Sequence, residues 1–198
     1  MDRKIAAVIA NGEPVPGAVL GFYTRDADVI IAADGGVSNC IAGGIIPDVI
    51  VGDFDSITID PAREVPAAEI EHITDQDSTD LEKAITIARR YEPTTIRFFS
   101  VLGLRADHTM ANMIIVQDFD PEIQVEVYDT HGRMIRLQAG SHILETEKGK
   151  TVSLFSLHAV KNLTLEGFRY PLTNYSDGPS FFGISNVYEE ETCRISLE

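Results

Sequence analysis

Long apolar runs without alternation recur through the first half of the chain and predict buried strands. The runs cover residues Lys4–Ala10, Asp28–Ala33, Asp48–Val51, Ile70–Ile73 and Thr95–Leu102. Continuous apolarity, as opposed to an apolar and polar alternation, is typical of parallel strands that are covered on both faces. We therefore expect five strands of a parallel sheet here.

The segments between these runs predict helices, of which Ser78–Tyr91 is the clearest. Its apolar residues recur at helical spacing, and the charged residues among them are expected to face solvent: Glu82, Lys83, Arg89 and Arg90. Thr79, followed three residues later by Glu82, has the form of a capping box, which would place Asp80 in the first turn. A second helix is predicted over Ala106–Gln117.

After about Asp129 the pattern changes to short runs separated by Gly, Asn, Asp and Pro, with no amphipathic helix among them. These runs are Met134–Leu137, His142–Leu144, Val152–Leu157, Leu163–Phe168, Phe181–Ile184 and Thr192–Leu197. Such a pattern is typical of a small antiparallel β-sandwich. The predicted fold class is α/β: an N-terminal Rossmann-like parallel-sheet domain over residues 1–130, then a C-terminal antiparallel β-sandwich over residues 131–198.

Four polar motifs follow four of the predicted parallel strands. They are ADGG (33–36), GDFDS (52–56), DQDSTD (75–80) and GLRADH (103–108). Ligands of open α/β sheets bind beyond the carboxyl ends of the strands, where the strand order reverses. We therefore expect these four loops to converge on one crevice.

The aspartates of GDFDS and DQDSTD form the first candidate site. Carboxylates held this close together raise one another's pKa unless a cation compensates, so we expect a hard divalent metal. Asp53 and Asp55 are two apart in a segment expected to be extended, which would point both side chains the same way. Asx turns at these two residues, a helix-stabilising role for Asp80, and solvated positions for Asp75 and Asp77 remain open alternatives.

The other two motifs offer groups for a phosphorylated ligand. Gly35 and Gly36 would allow positive φ angles and a close approach of a phosphate or ribose, although an ordinary turn explains them equally well. Arg105, if it faces the aspartates, could neutralise a phosphate that the metal also holds. The alternative is that Arg105 only pairs with Asp107.

Composition narrows the classes of partner. The chain has 198 residues and a formal net charge of -15, from 16 basic and 31 acidic residues, which argues against nucleic acid and anionic membranes. Its two cysteines, Cys40 and Cys193, have no metal-ligand spacing, as expected in a reducing compartment. The apolar run Ile5–Ala10 is too short for a signal peptide, so we expect a cytoplasmic location. The P-loop pattern is absent from the sequence.

Seven motifs in order resemble the thiamine pyrophosphokinase family. They are ADGG, GDFDS, DQDSTDLEKA, DHTMAN (107–112), VSLFSL (152–157), GFRYPL (167–172) and GISN (183–186). This resemblance implies transfer of a diphosphoryl group from ATP to the hydroxyethyl group of thiamine, which gives thiamine diphosphate and AMP. It also implies in-line attack of the thiamine hydroxyl on the β-phosphorus, catalysed mainly by positioning and electrostatics.

The resemblance also assigns roles to individual residues. It implies Mg²⁺ ligands at Asp53, Asp55 and Asp80, with Arg105 completing the catalytic set. With Gly35 and Gly36, the implied ATP site comprises Asp34, Gln76, Thr79, Arg105 and Asp107. The implied thiamine site comprises Tyr170, Ser185 and Asn186, in a homodimer whose active site is shared between chains. Leu104 stands where the family usually has a second glycine, which affects the expected placement of Arg105.

Three alternative functions remain at this stage. The first is the same reaction on another hydroxymethyl heterocycle such as a pterin, because the α/β half would look alike. The second is a magnesium-dependent phosphatase with Asp53 as nucleophile. The third is a protein that binds nucleotide or thiamine without catalysis.

Overall fold

The computed structural model describes residues 3–55, 57, 59–176 and 178–198, so Ser56 of the GDFDS motif lies outside the described residues. The chain divides into two compact units, one extending to Arg136 and the other comprising Leu137–Glu198.

The first unit is a seven-stranded sheet with helices. Its elements are β1 (Ile5–Ile9), α1 (Gly17–Thr24), β2 (Val29–Ala33), α2 (Gly36–Ala42), β3 (Val49–Gly52), α3 (Pro61–Glu64), β4 (Glu69–His72), α4 (Asp80–Arg89), β5 (Thr95–Phe99), α5 (Ala106–Gln117), β6 (Gln124–Tyr128) and β7 (Arg133–Ile135). The strand order is β4-β3-β2-β1-β5-β6-β7, with β1 to β6 parallel and β7 antiparallel to β6. The order reverses between β1 and β5, which is where such sheets bind ligands.

The five predicted strands and both predicted helices are present. The pattern missed β6, whose sequence QVEVY contains a glutamate, and it grouped the residues of β7 with the sandwich. β7 instead extends the sheet of the first unit, because its backbone pairs with β6.

The prediction that the strands are buried on both faces is correct at the centre of the sheet and wrong at one edge. All five residues of β1 are buried, and two apolar clusters cover the two faces of the sheet. β4 was expected to be buried, and this expectation is wrong: Ile70 is 41% exposed. β4 is the outermost strand, paired only with β3, so it lacks the cover that central strands receive.

The second unit consists of two antiparallel sheets. Its strands are β8 (Gly140–Glu145), β9 (Thr151–Ser156), β10 (Leu163–Glu166), β11 (Leu172–Tyr175), β12 (Phe181–Val187) and β13 (Thr192–Leu197). One sheet has the order β11-β10-β13-β8, and the other pairs β12 with β9. Side chains of both sheets meet in one core around Leu165, Phe168 and Ile195, which confirms the predicted sandwich. Among the described helices, none is long and apolar enough to cross a membrane.

Candidate functional site

Of the eight described residues other than glycine that have positive φ angles, four lie in loops at the carboxyl ends of the parallel strands. Positive φ angles occur at Asp34 (44°) after β2, Phe54 (63°) after β3, and Ser100 (54°) and Leu104 (58°) after β5. This conformation costs a residue other than glycine about 1–2 kcal/mol. Strain of this kind concentrates at functional sites. The edge of the sheet where the parallel strands have their carboxyl ends is therefore the candidate site.

Asp34 connects the ADGG loop to the GDFDS loop. It is only 2% exposed, and its Oδ1 accepts a hydrogen bond from the Phe54 backbone N–H at 3.2 Å. A Cβ at Gly52 would lie 2.8 Å from the same oxygen, so the carboxylate packs directly against the end of β3. The acid after β2 therefore fixes the loop after β3.

The segment from Asp53 to Asp55 is a turn, and the expectation of an extended segment is wrong. Phe54 adopts a left-handed conformation, and the Asp55 N–H lies 3.4 Å from Asp53 Oδ1 in the manner of an Asx turn. The two carboxylates nevertheless interact: the negative charge of Asp53 is the first cause that raises the pKa of Asp55, and a side-chain hydrogen bond with Asp53 adds to it. The Asx alternative and the proximity of the two acids are thus compatible.

The last residue of β4 and the loop after it contact Asp53 through two side chains. Gln76 donates from Nε2 to Asp53 Oδ2 at 3.3 Å, and His72 Nε2 lies 3.2 Å from the Asp53 backbone oxygen. The His72 ring also stacks on Phe54, with centroids 5.5 Å apart. Two neighbouring strand-end loops are therefore joined around one carboxylate.

Lys83 contributes an internal cation that sequence reasoning missed. The expectation that it faces solvent is wrong: the residue is 4% exposed, with Nζ 3.2 Å from Asp80 Oδ1 and 3.8 Å from Asp53 Oδ2. α4 packs against several strands, so a second stripe formed by Lys83 and Ile87 is buried beside the expected apolar one. The available signal was the spacing of Lys83 one helical turn after Asp80.

The start of α4 has the predicted capping box. Thr79 Oγ1 accepts from the Glu82 N–H at 3.3 Å, and Glu82 Oε2 accepts from the Thr79 N–H at 2.8 Å. This fixes the position of Asp80 in the first turn. Partial burial raises the pKa of Asp80; the negative charges of Asp34 and Asp53 add to this, and the Lys83 hydrogen bond opposes it.

The pKa values of the acids around Asp53 are shifted in opposite directions. Hydrogen bonding from the Asp55 backbone N–H, and then from Gln76, lowers the pKa of Asp53. The pKa values of Asp55 and Asp80 are raised instead. Such a divergence is typical of functional carboxylates held close together.

Gly35 and Gly36 serve a different need from the one expected. Gly35 has a φ of -57°, and the positive φ angle of this loop belongs to Asp34, so the expectation of positive φ at the glycines is wrong. A Cβ on Gly36 would lie 2.2 Å from the Ile9 carbonyl oxygen, and one on Gly35 would lie 2.3 Å from Asn11 Nδ2. The glycines allow α2 to approach the end of β1.

Arg105 pairs with Asp107 at the start of α5. Its Nη2 lies 2.6 Å from Asp107 Oδ2 and its Nε lies 3.1 Å from Oδ1, which is a bidentate pair. The pair and the His108 N–H lower the pKa of Asp107 to about 2. In the described part of the chain, Arg105 makes no ion pair with Asp53, Asp55 or Asp80. Its side chain is 67% exposed, so the guanidinium is accessible to a ligand.

The donor set suits magnesium carried with a phosphorylated ligand. Nowhere among the described residues do three or more His, Cys, Asp or Glu side chains lie close enough to hold a metal alone. Mg²⁺, however, is usually bound through one or two carboxylates together with substrate phosphates and water. Asp53 and Asp80, both within 4 Å of one ammonium, provide such a pair, so the residues fit this ion.

In the second unit, Asn186 holds Tyr170 by its backbone. Asn186 is 5% exposed; its Oδ1 accepts from the Tyr170 N–H at 3.0 Å, and its Nδ2 donates to the Tyr170 carbonyl oxygen at 2.9 Å. The Tyr170 side chain is 63% exposed. Ser185, at a φ of 61°, is exposed next to Asn186. The amide of Asn186 is therefore engaged within the protein, while Tyr170 and Ser185 face outward.

Comparison with known proteins gives consistent matches to one family. The model of "Thiamin pyrophosphokinase, catalytic domain" matches residues 21–127, and that of "Thiamin pyrophosphokinase, vitamin B1 binding domain" matches residues 141–198. A thiamine pyrophosphokinase of Bacillus subtilis (strain 168) is 32% identical over 177 residues, which cover 86% of this chain and 83% of the relative.

Solved structures agree with these sequence matches. A thiamine pyrophosphokinase crystal structure from Bacillus subtilis superposes with a TM-score of 0.82 at 28% identity, covering 98% of this chain and 94% of the other. Thiamin pyrophosphokinase from Candida albicans gives a TM-score of 0.80 at 19% identity, covering 98% and 86%. The second likeness supports the fold alone.

Proposed function

This chain belongs to the thiamin pyrophosphokinase family, and we propose that it performs the family's reaction with the side chains gathered around Asp53. It is an enzyme that makes thiamine diphosphate, with ATP as co-substrate. One observation carries the assignment of the site. Asp53, Gln76, Asp80 and Lys83, which come from two loops and a helix, meet at the carboxyl end of the parallel sheet.

We propose Asp53, Asp55 and Asp80 as the residues that hold Mg²⁺. A bound magnesium ion would supply positive charge to the phosphate oxygens of ATP. The lowered pKa of Asp53 keeps that carboxylate ionised, and Gln76 orients it. Asp34 supports this arrangement because its carboxylate accepts a hydrogen bond from the backbone N–H of Phe54, next to Asp53.

The proposed ATP site follows the same loops. Its residues are Asp34, Gly35, Gly36, Gln76, Thr79, Arg105 and Asp107. In the proposed reaction, the thiamine hydroxyl attacks the β-phosphorus in line, and the exposed Arg105 guanidinium counters the charge that develops as AMP leaves. The bidentate contact with Asp107 orients that guanidinium at the start of α5.

The proposed thiamine site lies in the second unit. Tyr170 presents an exposed ring, and a cationic heterocycle is attracted to the face of such a ring. Ser185 is exposed and precedes Asn186, which fixes the backbone of Tyr170 through two hydrogen bonds. We propose Tyr170 and Ser185 as contacts of thiamine; for Asn186 the hydrogen bonds favour a positioning role, and direct contact stays a prediction.

We further propose a homodimer whose active site is shared between chains. Three large apolar side chains are exposed on the sheet formed by β9 and β12: Phe155 (41%), Phe182 (61%) and Ile184 (62%). Exposed apolar groups concentrated in this way mark interaction surfaces. Phe182→Glu should shift the mass measured by light scattering from dimer to monomer, whereas Thr173→Glu, on the exposed part of β11, should not.

A cytoplasmic location is also proposed, since both cysteines are free and buried.

The decisive experiment offers the protein ATP, Mg²⁺ and either thiamine or a hydroxymethylpterin, with products identified by mass spectrometry. AMP with thiamine diphosphate is the expected outcome. A pterin diphosphate would favour the first alternative, and phosphate release without an acceptor product would favour the phosphatase. The match of residues 141–198 to a vitamin B1 binding domain speaks for thiamine.

A further inference from the structure

Lys83 is the least expected group near the proposed metal ligands. Lysine is almost never fully buried unless it is paired, and here the residue is 4% exposed within a helix whose other buried residues are apolar. Its ammonium lies 3.2 Å from Asp80 Oδ1 and 3.8 Å from Asp53 Oδ2. The ammonium therefore contacts one acid in α4, Asp80, and one in the loop after β3, Asp53.

The acids around Lys83 repel one another, so a positive charge among them stabilises the fold even when no metal is bound. The negative charges of Asp34 and Asp53 contribute to the raised pKa values of both Asp55 and Asp80. Asp80 is only partly solvated, with 42% of its side chain exposed, and Asp53 is 19% exposed. Repulsion among such acids destabilises the folded chain unless positive charge compensates. Lys83 provides that charge from within the fold.

We propose that Lys83 is a positioning residue that neutralises Asp53 and Asp80 in the metal-free protein and disfavours a free divalent cation relative to one that arrives bound to nucleotide. A cation entering alone meets the ammonium already held between the two carboxylates. A cation carried by ATP brings phosphate oxygens, whose negative charge offsets that repulsion. This inference rests on the proposed magnesium site, but the thermal unfolding experiment in EDTA tests it in the metal-free protein.

The first measurement is thermal unfolding in EDTA and in excess Mg²⁺. K83M should melt at least about 5 °C below the wild type in EDTA, because it leaves partly buried acids without their partner. Mg²⁺ should recover at least about half of that loss by replacing the missing charge, and K83R should stay close to the wild type. The matched control K150M removes a surface ammonium 3.7 Å from Glu147 and should melt within about 2 °C of the wild type.

The second measurement is Mn²⁺ binding by electron paramagnetic resonance. Without nucleotide, K83M should bind free Mn²⁺ at least about fivefold more tightly than the wild type, because the competing charge is gone. With ATP present, the difference should shrink to about twofold or less, since the phosphates offset the ammonium. These effects are independent of turnover.

Each other result counts against the inference. It is overturned if K83M melts like the wild type in EDTA, if Mg²⁺ leaves its deficit unchanged, or if free Mn²⁺ binds no more tightly. Should K83M not fold, K83Q takes its place, and failure of K83Q to fold in Mg²⁺ also overturns it. The variant Asp53→Asn separates the two proposals. If it binds Mn²⁺ in the presence of ATP as tightly as the wild type does, the proposed metal site itself is contradicted.

Discussion

Arg97 of β5 and Glu126 of β6 form an ion pair inside the first unit, with Nε 3.0 Å from Oε2 and side chains only 6% and 7% exposed. Arg97 also donates to Asp26 Oδ1 at 2.6 Å, and the Tyr128 hydroxyl donates to Glu126 at 2.8 Å. Buried pairs of this kind add little net stability, but removing one partner leaves an uncompensated charge.

We therefore expect Glu126→Leu to lower the free energy of unfolding by about 3 kcal/mol or more, because Arg97 loses its most buried partner. The double variant Arg97→Met with Glu126→Leu should lose less than the sum of the two single changes. Urea unfolding of all four proteins gives this cycle. Strictly additive losses would show that the two side chains do not act as a pair.

Leu104 allows a direct test of backbone strain beside Arg105. Its φ angle of 58° lies in the left-handed region that favours glycine, and its side chain is 79% exposed. Leu104→Gly should be more stable than Leu104→Ala by about 1 kcal/mol, because only glycine relieves the left-handed strain while both lose the side chain. Equal unfolding free energies would contradict this explanation.

Asp53 is the acid on which the proposed metal site depends most. We expect Asp53→Asn to lower kcat by at least about 100-fold at saturating Mg²⁺, since the amide is a neutral and weaker ligand. Asp77→Asn is the matched control, because Asp77 is an exposed loop acid whose N–H bonds to Asp75. Full turnover of Asp53→Asn would remove this residue from the metal site.

Tyr170 should act on thiamine binding and spare the nucleotide. Tyr170→Ala is expected to raise the KM for thiamine by about 5- to 30-fold, the value of a cation–π contact of about 1–2 kcal/mol. Tyr170→Phe should retain most of the affinity because the ring remains. An unchanged thiamine KM in the alanine variant would refute the stacking role, and a rise in the KM for ATP alone would reassign the residue.

The cysteines provide a check on the packing of both units. Burial raises the pKa of the Cys40 thiol to about 12, so little thiolate forms near neutral pH. Cys193 is 1% exposed, and its Sγ donates to the Gly167 carbonyl oxygen at 3.1 Å. We expect neither thiol to react with a disulfide reagent at pH 8 before unfolding, and both to react in denaturant. Rapid labelling of one thiol in the native protein would show that its unit is open.

The hydrophobic pattern along the sequence was sufficient to predict the central strands. The site depends on contacts between residues far apart in the chain, which this pattern does not reveal. The residues of β1 are apolar on both faces, so their role is visible in the sequence. β6 was missed because Glu126 interrupts its apolar residues, and Arg97, which pairs with Glu126, comes from another strand. Lys83 was assigned to solvent for the same reason, since Asp53 reaches it only through the fold.

The glycines of ADGG and the amide of Asn186 show a second limit. A motif identifies a position, but the purpose of the residue depends on what lies beside it. Gly36 is needed where α2 meets the Ile9 carbonyl oxygen, and Asn186 is engaged by the backbone of Tyr170. Neither neighbour is adjacent in the chain.

The exposed outer strand β4 has a consequence for how these molecules behave at high concentration. An unpaired strand edge can recruit a strand of another molecule and begin aggregation. β4 has only four residues, EIEH, and two of them are glutamates. Its shortness and its negative charge oppose such pairing, so the acids that break the apolar pattern there protect the sheet from uncontrolled growth.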